Sequence, residues 1–153
     1  MVRAQVFAGL GDFDGCSRAL DQAEAVQSLS GELHNGGWLR FDGSRLAEER
    51  GACYVELGRP DLAEAALTDA LSQQISLRRR GSVLTDLALL GVQRDDPDQV
   101  LTYATAALEL ARHTGSGWVS TKLRGLQDQL APLSHDRRIQ SLSSQIAALD
   151  SRI

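Results

Sequence analysis

The sequence predicts an all-α protein, and three observations carry that expectation. Alanine and leucine dominate a composition that is 42% hydrophobic and only 5% aromatic, which favours helices packed closely through small side chains over a sheet of β-branched and aromatic residues. Residues 47–71, AEERGACYVELGRPDLAEAALTDAL, read as two amphipathic helices joined at Leu57-Gly58-Arg59-Pro60-Asp61. The same pattern recurs in weaker form on either side.

Within 47–71, Gly51 is a small residue of the first helix, Tyr54 fills the gap beside it, and Gly58 ends the helix. Pro60 opens the second helix, where the first turn has no intrahelical use for its amide. Leu62, Ala63, Ala66, Leu67 and Ala70 then form an inward stripe at helical spacing.

Aligning Gly11 with Gly58, a shift of 47 residues, sets Phe7 against Tyr54, Cys16 against Ala63 and Ala23 against Ala70. A first unit therefore occupies 1–28, with a short opening helix over 2–10 and a second over about 12–28. So short a helix leaves part of the second one's apolar face uncovered, and the expectation is of a longer protein extending upstream of Met1. Residues 29–43, LSGELHNGGWLRFDG, are rich in glycine and form a loop insertion. Trp38, Leu39 and Phe41 are expected to fold over neighbouring helices or meet a partner, making Trp38 and Phe41 a candidate interaction loop.

The second unit covers 44–77 and the third 81–113. The third has a first helix over 82–92, facing inward through Leu84, Leu87, Ala88 and Gly91, and a second over 98–113 with Ala104, Ala107, Leu108 and Ala111 on one face. Its turn, Asp95-Asp96-Pro97-Asp98, lacks the glycine, so a different turn is expected. Arg78-Arg79-Arg80-Gly81 interrupts between the units. Carried on the end of the preceding helix, as expected, the three cations oppose the dipole's negative end; placed before a helix start they would form an anion site with Arg124. Two terminal helices follow, over 117–131 and 135–151. The first aligns Val119, Leu123, Leu126 and Leu130 and stops at Pro132. The second turns Ile139, Leu142, Ile146 and Leu149 inward and a polar face outward, as a terminal cap requires.

These units have the form of tetratricopeptide (TPR) repeats, and about three and a half of them predict a right-handed superhelix of TPR-like helix-turn-helix repeats with a C-terminal capping helix, one domain over 1–153. Trp38, Leu46-Ala47-Glu48-Glu49-Arg50-Gly51, Leu57-Gly58-Arg59-Pro60, Ala70-Leu71, Arg80, Leu87-Ala88, Asp98-Gln99, Ala107-Leu108-Glu109-Leu110-Ala111 and Ser116-Gly117 give the chain more than this. It resembles the C-terminal TPR-type domain of XRE-type helix-turn-helix transcriptional regulators, common in actinobacteria, over most of residues 1–150. The resemblance implies a sensing domain that dimerises or binds a short peptide in its concave groove. The DNA-binding helix-turn-helix of those regulators has no counterpart in this sequence.

The remaining composition excludes more than it assigns. A net charge of −4 lacks the footprint of a nucleic-acid-binding surface, so this chain is not expected to hold DNA directly. Fifteen of the sixteen basic residues are arginine, a skew that points to a GC-rich genome. Cys16 and Cys53 sit at small-residue positions and are expected as buried thiols, too few for a zinc site. No apolar run is long enough to span a membrane and no leader pattern opens the chain, which points to the cytoplasm. His34, His113 and His135 are scattered, and no HExxH, GxxxxGK[ST] or GxSxG motif occurs; neither an enzyme, a cofactor nor a metal is expected. TPR grooves are lined from fixed places in each first helix: here Arg45, Glu48, Ala52 and Val55, then Ser82, Thr85, Leu89 and Val92. That mixed lining suits a modestly apolar peptide or protein partner, or a second subunit in a homodimer. The leading expectation is a non-enzymatic interaction or ligand-sensing domain of a bacterial transcriptional regulator; the alternative is a stand-alone TPR adaptor bringing two proteins together.

Overall fold

A computed structural model describes residues 2–30 and 44–149. The regular structure of the described residues is all helical, without a strand: α1 (Val2–Gly9), α2 (Phe13–Ser30), α3 (Ser44–Glu56), α4 (Pro60–Ser72), α5 (Leu77–Gln93), α6 (Pro97–Thr114), α7 (Gly117–Asp128), a 3-10 turn (Ala131–Leu133) and α8 (Arg137–Ala147). The chain divides into two compact units, Met1–Gln74 with α1 to α4 and Ile75–Ile153 with α5 to α8. Trp38 and Phe41 lie outside the described residues.

Three helix pairs share one junction. In each, a residue with a left-handed backbone closes the first helix: Gly11 at φ 72°, Gly58 at φ 65° and Asp95 at φ 54°. Its amide donates three residues back, to Ala8, Val55 or Val92, and the next amide donates five back, to Phe7, Tyr54 or Gly91, all at 2.8–3.1 Å. This is a Schellman ending, which satisfies carbonyls that the helix leaves free. The third turn therefore does not differ as its sequence predicts. Asp95 adopts the glycine's conformation, which a short polar side chain tolerates better than most.

The residue after the turn caps the second helix. Asp12 accepts the Gly15 amide at 2.9 Å and Asp96 the Gln99 amide at 3.0 Å, satisfying an orphan donor in each. Arg59, in the same place, makes no such bond, and α4 begins on Pro60 instead.

In the first unit α1 pairs with α2, α3 pairs with α4, and α3 also packs on both α1 and α2. Ala4, Ala8, Cys16, Leu20 and Cys53 form the shared core, with Phe7, Ala19, Leu46 and Leu57 against it. Small residues set the spacing: a Cβ added at Gly51 would overlap Leu67 Cδ2. Ala63, Leu67 and Ala70 are buried, but Leu62 is 44% exposed and leaves the expected stripe. It stands in the first turn, one residue before Ala63, and so points about 100° away from it.

In the second unit α5 pairs with α6 and α7 packs on both, while α8 packs on α6 and α7. The close approach of α5 to α7 falls at Gly81, where an added Cβ would meet Val119 Cγ2 at 2.9 Å. Arg78, Arg79 and Arg80 are in the first turn of α5, not on the end of the preceding helix, and Gly81 is helical. The expected interruption is thus a helix start. Ser76 caps it by accepting the Arg79 amide, and the Arg78 guanidinium lies 5.6 Å from the centre of the Trp118 ring. Terminal α8 buries Ile139, Leu142 and Ile146 as its periodicity predicts.

Candidate functional site

The residues expected to line a groove fall in both units. On α3, Arg45 is exposed, Glu48 and Ala52 are half-buried, and Val55 is buried. On α5, Ser82, Leu89 and Val92 are half-buried, while Thr85 is 3% exposed. The Thr85 hydroxyl donates to the Gly81 carbonyl at 2.8 Å, so it is consumed within its own helix. Val55 and Thr85 are therefore core positions with little surface for a ligand. Arg124 is exposed on α7, and its Nε donates to the Ser120 carbonyl at 3.4 Å.

What the structure assembles most fully is the contact by which one helix pair seats on the next. The outer face of α3 meets the α1–α2 pair through Glu49, Arg50, Cys53 and Tyr54, with Leu57 just after the helix packed on the same core. Gln5 of α1 donates its side-chain amide to Glu49 at 2.7 Å. Arg50 reaches two carboxylates on α2, Asp21 at 3.3 Å and Glu24 at 3.1 Å. The latter two are one helical turn apart and so face the same way. Tyr54 stacks on Phe13 at the start of α2, with ring centres 5.9 Å apart, and the Arg59 guanidinium covers the Phe13 ring at 4.5 Å, a favourable cation–π geometry.

In the core of this contact Cys16 and Cys53 are neighbours in one buried cluster. Both are free and buried. Burial, foremost, and the neighbouring Cys16 push the Cys53 thiol up to about 12, and burial raises Cys16 as well. Loss of a proton here would place a thiolate in an apolar core, so the pair stays neutral and packs as two small hydrophobes.

The second unit uses different side chains for the same task. Lys122 of α7 donates to Asp86 at 2.6 Å, to the Ser82 hydroxyl at 2.9 Å and to the Ser82 carbonyl at 3.3 Å, anchoring α7 to α5. Gln127 donates to the carbonyl and the hydroxyl of Ser143, and Arg138 of α8 reaches Asp98 of α6 at 2.7 Å.

Among the described residues, no three His, Cys, Asp or Glu side chains are grouped to hold a metal, and no described helix is long and apolar enough to cross a membrane. His113 is exposed near the end of α6 and His135 in the turn before α8, and His34 lies outside the described residues. Comparison with protein-family models, curated proteins and solved structures yields no match. Arg50 and Cys53 are not among the groove positions read from sequence, yet they form this contact. The signal for Arg50 was present: at the 47-residue shift that aligns the units, Arg50 coincides with Arg3.

Proposed function

We propose that the chain is a protein-interaction domain, a right-handed superhelix of TPR-like helix pairs, serving as the ligand-sensing part of a bacterial transcriptional regulator in the cytoplasm. The observation that carries this reading is the junction repeated at Gly11, Gly58 and Asp95 with one hydrogen-bond pattern. Repeated pairs of this kind stack through their neighbours and present extended surfaces for binding. The regulatory setting draws its support from the resemblance carried by the motifs between Trp38 and Gly117. In this reading a peptide, protein or second subunit binds one arrangement of the helix pairs more tightly and shifts the population toward it. Arg45, Glu48, Leu89, Val92 and Arg124 are the accessible groove candidates.

Crosslinking the tagged natural gene product in its own cell and sequencing the recovered DNA tests the regulatory setting. Enrichment of a few discrete promoter fragments is the expected result. Recovery of an enzyme or a secretion component, with no DNA enriched, would replace this reading by that of a stand-alone adaptor.

A further inference from the structure

The docking face of α3 has a second copy in the molecule, and among the described residues no helix pair covers it. The shift of 47 residues that superimposes the first two junctions maps Arg50, Cys53, Tyr54 and Leu57 onto Arg3, Val6, Phe7 and Leu10, and Glu49 onto Val2. On α3 these positions are filled by the α1–α2 pair: Arg50 holds Asp21 and Glu24, Cys53 is buried and Leu57 packs on the core cluster. On α1, Val2 and Val6 are 75% and 55% exposed, and Leu10 just after it is 75% exposed. Arg3 is exposed and has no carboxylate partner among the described residues. Because Ala4 and Ala8 already face the core, α1 is apolar on both sides, the mark of a helix meant to be covered twice.

We infer that the outer face of α1 is a docking site for a further antiparallel helix pair with the chemistry of α1–α2. That partner presents small residues and leucine to Val2, Val6 and Leu10, and two carboxylates one helical turn apart to Arg3. The occupied contact on α3 defines these requirements. Beside it, Phe7 borders a recess of about 160 Å³ with Arg3, Gly15, Arg18, Ala19 and Gln22. A cavity of about 150 Å³ accommodates a benzene ring, so there is room for an aromatic side chain set against Phe7 as Phe13 is against Tyr54. A second copy of this chain does not supply the match. Its Asp21 and Glu24 are engaged by its own Arg50, and Thr68 and Leu71 of α4 and Thr105 and Leu108 of α6 stand at the corresponding places. The inference rests on the repetition of helix pairs and is independent of any regulatory role.

The test is a tandem protein in which residues 1–47 are repeated in register ahead of the full chain. Amides of α1 in the full-chain part are expected to exchange with solvent roughly tenfold or more slowly than in the unextended chain. Val6→Asp in that part abolishes the slowing but leaves the stability of the unextended chain unchanged. Arg3→Glu weakens the protection, and Asp21→Arg with Glu24→Arg in the added copy restores it. Unchanged exchange in the tandem, or absence of that rescue, overturns the inference. So does a dimer of the unextended chain, seen by sedimentation, that Val6→Asp dissolves, because the face would then belong to a second copy.

Discussion

Asp95 shows how a fixed backbone can override an unfavourable residue. Its left-handed φ of 54° is imposed by the two hydrogen bonds of the junction, and the cost falls on a side chain with a Cβ. Asp95→Gly is therefore expected to stabilise the protein by about 0.5 kcal/mol, and Gly58→Ala to destabilise it by about 1 kcal/mol, in urea unfolding. Nothing lies within 4 Å of a Cβ placed on Gly58, so that loss is conformational and not steric. Sequence made the glycine turns legible because glycine is the usual residue at such a position. It concealed the third because an aspartate there depends on its flanking helices. Cys53 carries a pH prediction. Its thiol is pushed up to about 12 in the folded chain against about 8.5 when unfolded. The stability due to the neutral thiol is fully present below about pH 8.5 and is lost as pH rises toward 12. The alkaline fall in unfolding free energy should be shallower in Cys53→Ala than in the wild type, once the loss common to all pH values is subtracted.

For the helices, small residues and caps decide position. Gly51→Leu is expected to cost about 1 to 3 kcal/mol or more by overpacking, because even a Cβ at Gly51 would overlap Leu67; unchanged urea unfolding would contradict the spacing of α3 and α4. Asp96→Ala removes the cap of α6 and should cost about 1 kcal/mol by the same measurement. The helix pairs were readable from the periodicity of alanine and leucine, and so were the buried faces of α5 to α8. The start of α5 was not. Three arginines before a glycine read as a helix end because cations favour the negative end of the dipole, whereas Ser76, one residue ahead of Leu77, held the cap that starts the helix. Of the positions named for a groove on α3 and α5, Val55 and Thr85 fell in the core. A fixed list of positions takes no account of the side chains packed around each helix.

Over the described residues, the instructive contrast is between a filled face and an exposed one. The same register gives Arg50 two carboxylates and leaves Arg3 exposed on a helix whose outward side is apolar. Composition alone cannot reveal this, since valine and leucine read as core wherever they recur at helical spacing. Site-specific photo-crosslinking in the native cell tests the central claim, that this chain works by docking helix pairs, most directly. A photoreactive residue at position 6 is expected to give an adduct whose peptide comes from a helix pair with two carboxylates a turn apart, well above the yield from exposed Glu109 of α6. A yield at position 6 no greater than at position 109, or adducts only between copies of this chain, would contradict it.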